Sequence, residues 1–250
     1  MIVLILAAGY ATRLYPLTLD TPKPLLPVAG KSILERIFEK VRGLQGVQRC
    51  YIVTNSKFSR HFKEWSAGFR YPVPLEVVDD GTTANEGRLG AIKDIDLVIK
   101  EKAIRDDLLV IGGDNLFEFR MSSFVEFARS KAPHATVALF DIQDKKKATI
   151  YGVAQLDDSQ RMVGFQEKPA QPASALISTC VYYLPKETLG CVSRYLASGN
   201  VQDAPGYFIR WLSEHDAVYG FAFSEGWFDI GDFASLQEAD RIYTERSGLR

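Results

Sequence analysis

The feature that most constrains this chain lies at its start. Ile2-Val3-Leu4-Ile5-Leu6-Ala7-Ala8 is an unbroken apolar run of strand length. A strand with one wet face alternates polar and apolar residues, so a run without alternation points to a strand covered on both faces, at the centre of a parallel sheet. Downstream, Ser32-Ile33-Leu34-Glu35 has capping-box form, and Ile33, Leu34, Ile37, Phe38, Val41 and Leu44 recur at helical spacing up to the stop signals Gly43 and Gly46. Between the two lie more than twenty residues of loop.

The same alternation continues through the first half. Apolar runs predict strands at Cys50 to Thr54, Leu75 to Asp79 and Leu108 to Ile111, with helices around Ser59 to Trp65 and from about Glu86. The second half changes character. After a strand at Ala135 to Asp141, two short strands (Tyr151 to Leu156, Met162 to Glu167) flank the turn Asp157-Asp158-Ser159-Gln160, a hairpin signal. A strand (Ser178 to Leu184), helices at Lys186 to Ala197 and Pro205 to Glu214, a strand (Val218 to Phe223) and a helix from about Phe233 complete the pattern. The expected fold class is α/β: a Rossmann-like, mixed but mostly parallel sheet flanked by helices, with antiparallel additions in the second half. No linker, low-complexity segment or repeat interrupts the 250 residues, which are expected to form one domain over 1–250.

Composition removes several function classes. Thirty Lys and Arg balance 31 Asp and Glu, leaving no global field to recruit nucleic acid or an anionic membrane, so an anionic partner must be bound locally. The longest apolar run at the N-terminus is far short of a membrane span and lacks a preceding basic segment, so neither a leader nor a membrane partner is expected. Three unclustered cysteines (Cys50, Cys180, Cys191) fit neither a disulfide framework nor a zinc site and point to a reducing, cytoplasmic compartment. The three scattered histidines are assigned no chemistry. Homo-oligomerisation is left open.

The long loop carries the first chemical signal. Connections between a strand and a helix are usually about 2–6 residues, so a longer one at the carboxyl end of a central strand suggests a binding loop. Gly9 allows close approach of a ligand to the backbone, and Arg13, Lys23 and Lys31 are cations suited to phosphates. A solvated loop stiffened by Pro16, Pro22, Pro24 and Pro27 is the alternative reading. A dinucleotide-binding loop is disfavoured because Gly9-Tyr10-Ala11-Thr12-Arg13-Leu14 lacks the second and third glycines of G-x-G-x-x-G, and no G-x-x-x-x-G-K-[ST] is present for a P-loop.

From Leu6 to Lys31 the sequence resembles the signature of the sugar-1-phosphate nucleotidylyltransferases, L-A-A-G-x-G-T-R-x-x-P-L-T followed by P-K-x-L-L-P-V, in a short form without the β-helix domain of longer relatives. Ala11 replaces the usual second Gly, and Ser32 a usual Pro. Gly112-Gly113-Asp114-Asn115, Tyr151-Gly152-Val153, Gln166-Glu167-Lys168-Pro169 and Trp227-Phe228-Asp229-Ile230-Gly231 are similar to further motifs of that family, in the same order, and the resemblance runs from about Ile2 to Ala239.

The resemblance implies Mg²⁺-dependent transfer of a nucleoside monophosphate from an NTP to a small phosphorylated acceptor, with pyrophosphate released. Residues 1–115 would form the nucleotide-binding half and 116–250 the acceptor-binding half. It implies catalytic roles for Arg13, Lys23, Asp114, Lys168 and Asp229, with Asp114 and Asp229 as metal ligands. Leu6, Ala7, Ala8, Gly9, Arg13, Lys23, Gly81 and Asn85 would bind the nucleotide; Gly152, Glu167, Lys168 and Thr179 would bind the acceptor, Gly152 by making room for a sugar. A sugar 1-phosphate is the expected acceptor. The segment Asp79 to Ala91 keeps only fragments of the family's base-recognition pattern, and its Asn85 is closer to small cytidylyltransferases that activate phosphocholine, so CTP and a phosphorylated alcohol form a second reading. Cys180 stands where the sugar enzymes usually place Gly at the pocket wall. A non-catalytic nucleotide-sensing module is the third reading, opposed by the presence of both carboxylates.

Overall fold

The structure is a computed structural model that describes residues 1–200 and 203–247. In chain order its elements are β1 (Ile2–Leu6), β2 (Pro27–Val28), β3 (Lys31–Ser32), α1 (Ile33–Val41), β4 (Arg49–Thr54), α2 (Ser56–Gly68), β5 (Leu75–Asp79), α3 (Ala91–Glu101), β6 (Leu108–Gly112), β7 (Asn115–Phe117), α4 (Met121–Ser130), β8 (Ala135–Asp141), β9 (Gly152–Leu156), β10 (Met162–Glu167), β11 (Leu176–Leu184), α5 (Leu189–Ala197), α6 (Pro205–His215), β12 (Val218–Phe223), β13 (Trp227–Asp229) and α7 (Phe233–Ser247).

The apolar run at the start does occupy the centre. β1 pairs in parallel with β4 on one side and β6 on the other, and β5 extends the sheet beyond β4. Its alternate side chains feed both faces. Val3 and Ile5 join the core formed with Phe38, Phe58, Phe62 and Phe124 of α1, α2 and α4, while Ile2 and Leu4 join Ile92, Ile95, Val192 and Phe208 of α3, α5 and α6 on the other. Burial on both faces is why no polar residue interrupts the run.

The antiparallel addition begins at β11, which pairs antiparallel with β6, β8 and β9. β9 and β10 form the expected hairpin at one edge, and β12 lies parallel to β8. A register shift interrupts β11 between Ser178 and Tyr182, and Cys180 within it adopts the left-handed region at φ 56°. Outside this sheet, β7 and β13 form a two-stranded antiparallel ribbon that pairs Asp229 with Asn115.

Helix α1 carries the capping box read from the sequence: the Ser32 hydroxyl accepts from the Glu35 N–H, and the Glu35 carboxylate accepts from the Ser32 N–H at 2.6 Å. It ends at Val41, before Leu44, and α2 begins at Ser56, capped by the Asn55 side chain, three residues earlier than its apolar spacing indicates. The helix expected from about Glu86 starts instead at Ala91. Residues 85–87 make one 3₁₀ turn, and Gly90 at φ 88° sets the chain direction for α3. Lys186 to Thr188 is likewise a 3₁₀ turn ahead of α5. Helix α4 and the β7–β13 ribbon carry no strong local signal and are additions to the sequence reading.

Candidate active site

The parallel register brings three chain segments to one sheet edge. Leu6 lies opposite both Val53 and Gly112, so the residues that follow β1, β4 and β6 leave the sheet side by side at its carboxyl end. Asn55 ties two of them together: its amide donates to Ala8 O at 2.9 Å while its carbonyl caps α2. The third is drawn in by the Gly113 N–H, which donates to Leu6 O at 2.8 Å. A Cβ on Gly113 would stand 2.7 Å from that same oxygen, and one on Gly112 would stand 2.5 Å from the Asn115 amide. Both glycines are needed for the turn that delivers Asp114.

Asp114 is held from two sides. Asn115 Nδ2 donates to one carboxylate oxygen at 3.1 Å, and Lys23 Nζ donates to the other at 2.6 Å. Lys23 sits on a 3₁₀ turn opened by Pro22 and continued by Pro24, and it also donates to Ile230 O at 2.9 Å. The ribbon supplies the second carboxylate: Trp227 Nε1 donates to Asn115 Oδ1 at 3.0 Å, and the Ile230 N–H donates to Asp114 O at 3.1 Å. Burial and the charge of Asp114 push the Asp229 carboxyl up to about 6, against the opposing pull of Lys23 and Arg13. Burial and the nearby Asp114 charge thus make a cation beside Asp229 favourable.

Arg13, Asp114, Tyr151, Gly152, Glu167, Lys168, Thr179, Cys180 and Asp229 all line one cleft of about 720 Å³. Arg13 and Lys168 are exposed on its walls, and Lys168 adopts φ 47°, its N–H donating to Tyr151 O at 3.0 Å. Glu167 is half-buried, and burial raises its carboxyl above the usual range against the pull of Lys168. Two glycines shape its seat. A Cβ on Gly206 would fall 1.7 Å from Glu167 Oε2, and one on Gly152 would fall 2.5 Å from the Phe165 ring. Gly152 lines the cleft, and the absence of a side chain there also leaves room for the protein's own Phe165 ring. Thr179 lines the cleft, yet its hydroxyl donates to Ala138 O at 3.0 Å.

A second compartment of about 190 Å³ shares Asp114, Cys180 and Asp203 with the first. Leu6, Ala8 and Gly9 line it, together with Asp80, Arg88, Gly90 and Ala91 from the segment that resembles the family's base-recognition position, and Asp94, which lies beyond that segment. Ala7, Gly81 and Asn85 are not in its wall. Ala7 continues the β1 ladder by donating to Val53 O, Gly81 turns the chain at φ 80° with its N–H on Asp79, and Asn85 begins the 3₁₀ turn. Asp94, in the first turn of a helix, carries no motif that could have announced it. A third depression, of about 650 Å³ around Lys100, Arg105 and Lys186, holds none of the residues singled out by sequence.

Among the described residues no group of three or more His, Cys, Asp or Glu is gathered to hold a metal on its own. The pair Asp114 and Asp229 nonetheless fits a hard divalent cation, which commonly takes one or two carboxylates and completes its shell with water and substrate phosphate. No helix among the described residues is long and apolar enough to cross a membrane.

The sequence model of the nucleotidyl transferase family matches residues 2–246. The chain is 27% identical over 243 residues to the bifunctional protein GlmU of Methanocaldococcus jannaschii, covering 97% of this chain and 54% of that protein. It is 28% identical over 231 residues to a Sulfolobus acidocaldarius protein provisionally named a mannose-1-phosphate guanyltransferase, covering 91% of this chain and 59% of that protein. The chain thus spans little more than half the length of these curated relatives. A crystal structure of a Bacillus anthracis protein, provisionally named a glucose-1-phosphate thymidylyltransferase and holding sucrose, matches with a TM-score of 0.81 at 22% identity, covering 97% of this chain and 95% of that one. That likeness establishes a shared fold, and with the family match along nearly its whole length, the chain belongs to the nucleotidyl transferase family.

Proposed function

We propose that the chain transfers a nucleoside monophosphate from an NTP to a sugar 1-phosphate, forming an NDP-sugar and releasing pyrophosphate. The observation that carries this reading is the convergence of Lys23 and Asp229 on Asp114, which lines both of two neighbouring cavities, with Arg13, Lys168 and Asp229 on the walls of the larger one. In this reading residues 1–115 supply the nucleotide side and 116–250 the acceptor side. The unbonded cysteines support a cytoplasmic setting.

The reaction is attack by an acceptor phosphate oxygen on the α-phosphorus, in line with departing pyrophosphate. The nucleophile is already ionised at neutral pH, so positioning and charge neutralisation supply the catalysis and no general base is required. Arg13 offers a guanidinium fork for the pyrophosphate oxygens, Lys23 a point charge at the α-phosphate, and Lys168 a point charge for the acceptor phosphate. Asp114 and Asp229 would hold Mg²⁺, which neutralises developing charge on phosphate oxygens when bound. Lys23 positions Asp114 by direct contact, so one side chain links the phosphate and carboxylate parts of the site. Glu167, seated against Gly206, is placed to accept from acceptor hydroxyls.

The test is pyrophosphate release by the purified protein with Mg²⁺, across ATP, GTP, CTP, UTP and dTTP against glucose 1-phosphate, mannose 1-phosphate and phosphocholine. Release with a sugar 1-phosphate is the expected result. Release with phosphocholine alone would replace the acceptor class, and silence throughout with nucleotide still bound would favour a sensing module.

A further inference from the structure

The smaller cavity contains a polar demand that the protein itself does not meet. Asp94, in the first turn of α3, is 4% exposed, lines this cavity, and has one carboxyl oxygen, Oδ1, fully buried without a hydrogen-bond partner. Asp80 across the same compartment has the same defect. Its Oδ1 accepts from the Thr82 N–H and hydroxyl, at 2.7 Å each, while its Oδ2 is buried and unpartnered. A buried acceptor left unmet is destabilising, and a bound ligand's donors can remove that cost. The cation in this wall, Arg88, is already committed: its guanidinium holds Asp203 through a fork of 3.1 and 2.6 Å.

We propose that Asp80 and Asp94 read the 4-amino group of cytosine, so that this site selects CTP over UTP. The inference rests on the nucleotidyl-transfer reading above and names the base for it. A 4-amino group carries two N–H donors, one for each unmet oxygen, and carboxylates are established acceptors for that group. Uracil presents a carbonyl oxygen in its place, which would face two acceptors. Burial and the neighbouring Asp80 push the Asp94 carboxyl up to about 8, so near neutrality it also offers an O–H to a ring nitrogen. Cytosine N3 has a lone pair to accept it, whereas uracil N3 carries a hydrogen. A protonated carboxyl could still pair with uracil in a reversed arrangement, and Asp80 breaks that tie, since Oδ2 would have nothing to accept from O4.

CTP and UTP differ only along this edge of the base, so their binding to the whole protein, measured by calorimetry with Mg²⁺ and no acceptor, isolates the contact. We expect CTP to bind at least about tenfold more tightly than UTP. Asp94→Ala should weaken CTP by about tenfold while moving UTP less than about threefold. Asp94→Asn, which can turn an N–H toward O4, should bring the two affinities together, and Asp80→Asn should do so more weakly. The Asp94 variants remove a buried carboxyl oxygen with no partner, so their melting temperatures should not fall, and a fall would show that Asp94 is structural. A CTP to UTP preference near or below one in the unaltered protein would overturn the proposal, as would variants that shift both nucleotides equally. Selective CTP binding with no pyrophosphate release from any acceptor would leave the base reading standing and remove the transfer reading. Failure of every triphosphate to bind would remove both.

Discussion

The two sides of the cleft are built by different means. On one side, parallel strands β1, β4 and β6 end together, and the loops that follow them are fixed mainly by backbone hydrogen bonds between neighbours, such as Gly113 N–H to Leu6 O and Ala7 N–H to Val53 O. On the other, the hairpin β9–β10, the interrupted strand β11 and the start of α6 surround the cavity, and glycines without side chains decide where Glu167 and Phe165 sit. Polar functional groups on the first side are held by the chain; on the second they are held by space. Changes that disturb hydrogen bonding should damage the first side, and changes that add a methyl group should damage the second.

The largest effect is expected where the two sides meet. Asp114→Asn or Asp229→Asn should lower kcat by at least about a hundredfold with the fold intact, because the charge-stabilising interaction lost is made chiefly in the transition state. Steady-state kinetics with circular dichroism as a fold control checks this, and near-normal turnover in both variants would separate the carboxylates from the chemistry. Next come changes confined to the acceptor side. Lys168→Ala should raise the acceptor KM by at least about tenfold and leave the nucleotide KM nearly unchanged. Gly206→Ala should act on the same parameter by a smaller factor: its methyl would meet the flexible end of Glu167 first, with the Phe165 ring 3.3 Å away, and the charge that Lys168 supplies stays in place. If either variant altered the nucleotide KM instead, the division between the two sides would fail.

A pH experiment sharpens the same contrast on the nucleotide side. Asp94 in the folded protein is pushed up to about 8 from 3.8, mainly by burial. The folded state therefore binds more protons than the unfolded one between those values, and stability falls as pH rises through the window. Asp94→Asn removes that slope. The melting temperature of the variant relative to the unaltered protein should climb between pH 5 and pH 8 by at least about 2–4 °C, corresponding to about 1 kcal/mol. A constant difference across that range would mean that Asp94 ionises normally.

What could be read in the sequence follows the same division. The buried run of β1, the capping box at Ser32 and the motif residues Arg13, Lys23 and Asp114 are local, and the structure sets the last three together. The hairpin β9–β10 was legible for the same reason, since its turn lies between its strands. The β7–β13 ribbon was not, because Asn115 and Asp229 are more than a hundred residues apart and each strand is three residues long. Nor was the wall of the smaller cavity. Asp80, Asp94 and Asp203 look like ordinary surface carboxylates in one dimension, and only the turn at Gly90 and the position of α3 bury Asp94. At Gly152 the motif suggests space for a ligand; the residue lines the cleft, and only the fold reveals that the Phe165 ring packs against it as well.

The smallest expected effect tests whether a local signal can be removed without touching the site. Ser32→Ala deletes the hydroxyl that accepts from Glu35 N–H and leaves the first turn of α1 with an unmet donor. Loss of such a cap costs about 1 kcal/mol, or about 2–4 °C in melting temperature for a chain of this length. Helix α1 packs its Ile33, Ile37 and Phe38 into the core on the side of the sheet that also receives Leu116 and Ile230, which flank the two carboxylates. Apart from that of Ile33, in the first turn, those contacts are made beyond the turn that the cap secures. Turnover at saturating substrates should therefore stay within about twofold of the unaltered protein even as stability drops. A fall in kcat of tenfold or more would show that the hydrogen-bonded side of the cleft depends on the seating of α1, and that its precision is less local than its sequence.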